Sequence, residues 1–136
     1  DNLVFCSYFQ GNLTAFDPSQ RRAVWSTDAS SFHSPLIIKG LIIVLNNDGS
    51  IISFSGQTLS ESWTNEEYLR RGLSNATEHD GNVVFGDIEG YLHVINPLTG
   101  RTIGREKISG NPIRYVSSRG NQLFALDSEL RMIALD

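Results

Sequence analysis

Apolar and polar positions alternate over short runs throughout this chain, and Gly, Asn, Asp or Pro stands at nearly every break between them. A period of two, with β-branched and aromatic residues enriched, marks strands rather than helices. The stretch GDIEGYLHVINPLTGRTIG, residues 86–104, shows it twice. Residues 82–87 are expected to pair with 91–95 through Glu89-Gly90, where glycine supplies a positive φ. Asn96-Pro97-Leu98-Thr99-Gly100 then breaks the chain again. Asn96 bonds its own backbone, Pro97 presets φ, and Gly100 takes a left-handed position. Residues 102–107 form the following strand. Asp48-Gly49 is the strongest hairpin signal in the sequence. No segment has a helical period, and residues 65–73, NEEYLRRGL, are expected as an ordered loop with at most one turn.

The pattern repeats. Gly11, Gly49 and Gly90 each precede an alternating strand, and Leu130 takes that place in a last copy, at offsets of 38, 41 and 40 residues. Trp25, Trp63 and Gly104 keep the same beat, 38 and 41 residues apart. Before each hairpin lies another candidate strand, at 32–38, 73–78 and 113–118. Four antiparallel strands in a unit of roughly 40 residues describe a β-propeller blade. Helical repeats need a 3.6 period that is absent, leucine-rich repeats are shorter, and the Gly-His and Trp-Asp marks of WD40 blades are missing. The fold class is therefore all-β: a β-propeller fragment of about three and a half four-stranded blades. Its divisions are a partial blade at 1–31, blades at 32–65 and 72–108, and a partial blade at 111–136, with strands in the order three, four, four, three. Such an arc is expected to be part of a larger protein, or to cover its two end faces by forming a homodimer. A branched residue at positive φ is costly, so the last hairpin is expected to move its turn toward Asp127-Ser128-Glu129 or to use a different turn type, and in either case to spare Leu130.

Composition adds bounds. The 136 residues are 40% hydrophobic and 19% charged, which suits one folded domain with a core of its own. A net charge of −4 argues against nucleic acid or an anionic membrane surface as the main partner. No apolar run approaches the roughly 20 residues of a spanning helix. The N-terminal DNLVFCSYFQ has neither a basic n-region nor a cleavage site, so a signal peptide is expected to be absent or already removed. Cys6 is the sole cysteine, which excludes an internal disulfide, and it reads as a small core residue.

Candidate chemistry is sparse. His33, His79 and His93 lack metal-like spacing, and His93 reads as a surface or blade-packing residue. NNDGS resembles a calcium loop, but the acids required at its first and twelfth positions fall on Val44 and Ser55. Asp87 and Glu89 flank one turn and point to different faces, which does not suit acid–base work. Ser30-Ser31 and Ser117-Ser118 lack nucleophile-elbow glycines. Sequons begin at Asn12 and Asn75, a short motif that carries no weight by itself. No catalytic, metal or cofactor residue is assigned. Arg21-Arg22 reads as a solvated pair, whereas Arg70-Arg71 sits beside Tyr68 and Leu69 on a long inter-blade loop. Tyrosine and arginine are typical interface anchors, so Tyr68, Leu69, Arg70 and Arg71 form the candidate partner-binding site. Trp25 and Trp63 occupy one place on the outermost strand, where a large ring fills the space between blades.

An acidic or amide residue, a turn and then Trp resembles the PQQ-type propeller repeat. Copy three carries the turn most fully as Asn96–Gly100, with Gly104 in place of Trp; copies one and two keep Trp25 and Trp63 but lose the glycine. Within that class YFQGNLTAFD, SFSGQTLSESWTNEEYLRRGLS and GNVVFGDIEGYLHVINPLTGR resemble the C-terminal half of the BamB family, lipoproteins of the outer-membrane β-barrel assembly machinery. The resemblance implies a bacterial periplasmic scaffold with an eight-bladed propeller, a lipid anchor on an N-terminal cysteine, and a grip on the POTRA domains of BamA. No lipobox precedes Cys6, so it does not match the anchor. The family's principal BamA-contacting loops align upstream of Asp1. Two other functions share the repeat: a quinoprotein dehydrogenase, which needs cofactor-facing polar residues and calcium near the ring axis, and another propeller sensor or binding domain.

Overall fold

The computed structural model describes residues 2–7 and 11–136. Fourteen strands form four antiparallel sheets among these residues, and no helix is present. The first sheet contains β1 (Val4–Ser7), β2 (Asn12–Asp17) and β3 (Arg22–Asp28). The second contains β4 (Leu36–Ile38), β5 (Leu41–Leu45), β6 (Ile51–Ser55) and β7 (Glu61–Asn65). The third contains β8 (Ala76–His79), β9 (Asn82–Gly86), β10 (Tyr91–Ile95) and β11 (Thr102–Lys107). The fourth contains β12 (Ile113–Arg119), β13 (Gln122–Asp127) and β14 (Met132–Leu135). Every sheet is a simple meander, with three, four, four and three strands, as the repeat requires.

The middle strands of the second and third sheets are apolar on both sides because these two sheets are covered on both faces. Ile42 and Val44 of β5 join Leu13 and Ala29 against the first sheet. Ile43 and Leu45, one residue out of phase, join Val83 and Phe85 of the third. Val84 then turns the other way, onto Ile113, Val116 and Leu123 of the fourth. Alternation in β5 and β9 is thus between two interfaces, not between core and water. Cys6 departs from expectation. It is exposed, because it shares a side of its sheet with Val4, Thr14 and Phe16 and points away from the second sheet.

Antiparallel order puts the inter-blade connectors and the turns between second and third strands at one end of every sheet, hereafter the connector face. The Asp48-Gly49 and Glu89-Gly90 signals prove to be three-residue loops rather than two-residue ones. Asp87 N–H donates to the Tyr91 carbonyl at 3.0 Å and Gly90 N–H to the Asp87 carbonyl at 3.3 Å, which closes a turn with a left-handed last residue. Lys39-Gly40 and Asp80-Gly81 are true two-residue hairpins with φ positive at both positions, and Gly120-Asn121 is a third with φ positive at Gly120.

The expectation for the last turn was wrong. Leu130 has φ 63° and donates its N–H to the Asp127 carbonyl at 3.0 Å, the geometry of Gly90. Asp127 Oδ1 accepts from Glu129 N at 2.9 Å and Arg131 N at 3.0 Å, as Asp87 Oδ1 accepts from Glu89 and Tyr91. These bonds hold the turn against a strain of about 1–2 kcal/mol. Space decides the rest. A Cβ at Gly90 would lie 2.0 Å from the Ser109 carbonyl oxygen and one at Gly49 2.1 Å from that of Tyr68, whereas Leu130 is 80% exposed.

Candidate partner-binding site

The connector from the second to the third sheet, residues 66–75, is held along its whole length. Asn65 starts it by donating from Nδ2 to the Gly100 carbonyl at 2.7 Å and accepting Glu67 N–H on Oδ1 at 2.8 Å. Arg70 N–H donates to the Asp48 carbonyl at 2.9 Å, and Ile88 N–H to the Arg71 carbonyl at 3.0 Å. The connector is therefore stitched to the turns of both blades that it joins. Arg70 takes φ 64° and Gly72 φ 57°, which folds the chain sharply between these anchors.

Its four candidate residues divide. Tyr68 is only 3% exposed and is removed from the partner surface. Its ring meets Phe85 and His93 edge-on at 4.9 and 4.8 Å, and its hydroxyl pairs with Thr102. Tyr68 is an interface anchor, as its residue type suggests, but between blades; burial pushes its hydroxyl pKa up. Arg71 is partly buried. Its Nη1 lies 3.3 Å from Asp87 Oδ2 and 4.0 Å from Glu89 Oε2. Leu69, 42% exposed, and the exposed Arg70 remain as the projecting pair.

Beneath them lies a polar node that sequence reading does not reveal. Asp87, fully buried, accepts Glu89 and Tyr91 N–H on Oδ1, and His93 Nε2–H at 2.7 Å and Arg71 on Oδ2. Burial alone would raise the Asp87 pKa, but the His93 N–H and the two backbone N–H groups outweigh it and hold the carboxyl below its ordinary range. His93, 1% exposed, is pushed down by burial against the pull of Asp87. With Nε2–H given to Asp87, its buried Nδ1 has no hydrogen-bond partner. This node ties the connector, through Arg71, to the third sheet. Among the described residues no group of three or more His, Cys, Asp or Glu could hold a metal ion.

The tryptophans lie between sheets. Trp63 Nε1–H donates to the Pro97 carbonyl at 2.8 Å. Trp25 meets Phe54 of the second sheet edge-on at 5.4 Å. Ahead of each stands an unpaired bulge residue, Val24 or Ser62, as Ile103 stands ahead of Gly104. Asn75, met in sequence only as a sequon, spans two blades. It donates from Nδ2 to the Val116 carbonyl at 2.9 Å and accepts Val116 N–H on Oδ1 at 3.0 Å.

Comparison with known proteins agrees with this architecture. The crystal structure of BamB from Moraxella catarrhalis superposes with a TM-score of 0.90 over 98% of this chain and 40% of its own, at 23% identity. The outer membrane protein assembly factor BamB of Pseudomonas aeruginosa is 33% identical over 135 residues, 92% of this chain. That of Escherichia coli K12 is 30% identical over 128 residues, 90% of this chain. The chain spans about a third of these two relatives, 35% and 32% of their lengths. The family model described as outer membrane protein assembly factor BamB matches residues 1–128, and the chain belongs to that family.

Proposed function

We propose that this chain forms part of a non-catalytic scaffold in outer-membrane protein assembly, which binds the POTRA domains of BamA at the periplasmic face of the outer membrane. A lipid anchor elsewhere in the longer protein would keep it there. The observation that carries the reading is the Leu69-Arg70 loop: an apolar and a cationic side chain projected from a backbone already fixed by both neighbouring blades. A loop ordered before binding loses little entropy on docking, and arginine beside an aliphatic group suits an interface centre. The outer side of the last sheet, where Tyr115, Phe124, Leu126 and Met132 line a cleft of about 340 Å³, takes a further blade. Light scattering tells whether a second copy of the chain supplies it.

The test is titration of purified BamA POTRA domains with the chain and with the double variant Leu69→Asp, Arg70→Glu. We expect at least a tenfold loss of affinity with the melting temperature unchanged. Equal affinity, or wild-type chain that captures no POTRA domain, refutes the reading. Saturable binding of pyrroloquinoline quinone with calcium would favour the dehydrogenase instead.

A further inference from the structure

A second surface on the connector face stands apart from the scaffold reading. A cleft of about 350 Å³ opens where the second, third and fourth sheets meet. Leu45, Leu73 and Ile113 give it an apolar floor, while Phe32 and Ile88, 69% and 47% exposed, stand at its rim. No carboxylate lines it, and its one arginine or lysine is Arg114. This residue sits in a bulge of β12: Ile113 faces Asp127 and Tyr115 faces Leu126, which leaves Arg114 without a cross-strand neighbour. Bulges re-aim side chains, and this one sets Arg114 among the residues that line the cleft. Among the described residues Arg114 has no ion pair.

A cation beside an apolar floor, in a cleft that no carboxylate lines, is complementary to a carboxylate carried next to an apolar group. Arginine's planar fork takes a carboxylate through two parallel hydrogen bonds, and a cleft of this size holds one large aliphatic or aromatic side chain. We propose that the cleft docks a segment of a partner protein that inserts an apolar side chain and sets an adjacent Asp or Glu carboxylate on Arg114.

Fluorescence anisotropy with the labelled peptide Ser-Asp-Leu-Phe-Asp-Ser tests it. The acidic apolar peptide should saturate the chain. Replacing its aspartates by lysine, or its Leu-Phe by serines, should weaken binding at least tenfold. Arg114→Glu should reverse the preference toward the lysine peptide, and Ile88→Ser should weaken binding about fivefold. Both side chains are exposed, so the melting temperature of each variant should match wild type. Equal binding of the lysine peptide, unchanged affinity in Arg114→Glu, or no binding of any peptide overturns the proposal. So does full competition by N-acetyl-leucine at equal affinity, which would assign the cleft to small free acids.

Discussion

Trp63 and Gly100 fit as ring and seat. A Cβ built on Gly100 would come within 2.4 Å of Trp63 Cε3, and the indole N–H is fixed on the Pro97 carbonyl of the same turn. Gly100 has φ 75°, so its lack of a side chain serves both the turn and the neighbouring blade. Gly100→Ala should therefore cost more than backbone strain alone, about 2–4 kcal/mol, and Trp63→Ala about 3–5 kcal/mol. In a urea-denaturation cycle the two should be strongly non-additive, since removing the ring frees the space for the methyl. Additive effects would mean that ring and glycine act separately. Trp25→Ala should cost less than Trp63→Ala, because its indole contact is an edge-on ring with no cross-blade hydrogen bond among the described residues.

The two glycine-type turns give opposite expectations. Leu130→Gly removes left-handed strain from an exposed position and should stabilise by about 1 kcal/mol. Gly90→Ala should destabilise by several times that amount, since Ser109 leaves no room for a methyl. The urea midpoint reads both. A neutral Leu130→Gly would show that its side chain is held by contacts worth the strain.

These turns mark what was legible in the sequence. Strand count and blade order followed from periodicity, because a meander of short strands has few other ways to bury two-sided apolar runs such as LIIVL and NVVFG. Glycine was an incomplete guide to turn geometry. Arg21 at φ 54° and Leu59 at φ 61° occupy the place that Gly100 takes in the third copy, and Leu130 that of Gly90. There the repeat's turn hydrogen bonds outweigh local preference. Burial of Tyr68 and His93 was illegible for another reason: each is polar in isolation, and only the folded chain supplies Thr102 and Asp87 as its partner.

The Asp87–His93 node predicts a pH dependence. His93 is held below its ordinary pKa, so the unfolded chain takes up a proton that the folded chain refuses. Stability should be full above pH about 6.5 and decline as pH falls from there toward the lowered folded value. Asp87 acts in a separate window. Its folded pKa also lies below the ordinary one, so the stability it contributes is present above about pH 4 and lost below. His93→Leu should remove the upper decline. Urea midpoints from pH 4.5 to 8 check this, and an unchanged upper limb in His93→Leu would place the titration elsewhere.

Asn75 gives the last prediction. Its side-chain amide meets both the N–H and the carbonyl of Val116, a residue with no exposure, and so acts as a one-residue strand partner across the blade boundary. Asn75→Ala leaves that buried donor and acceptor unpaired, at a cost of about 2 kcal/mol. Asn75→Asp keeps the acceptor but sets a second oxygen against the Val116 carbonyl, where Nδ2 had donated, so at neutral pH it should cost more than alanine. Lowering the pH should narrow that gap, because the introduced carboxyl, once protonated, regains one donor. Hydrogen exchange at the Val116 amide reads the site directly. Exchange should accelerate sharply in Asn75→Ala and much less in Asn75→Asp, which still accepts that proton. Equal protection in wild type and Asn75→Ala would mean that burial among Val116, Leu123 and Val84, and not the Asn75 amide, shields the Val116 N–H.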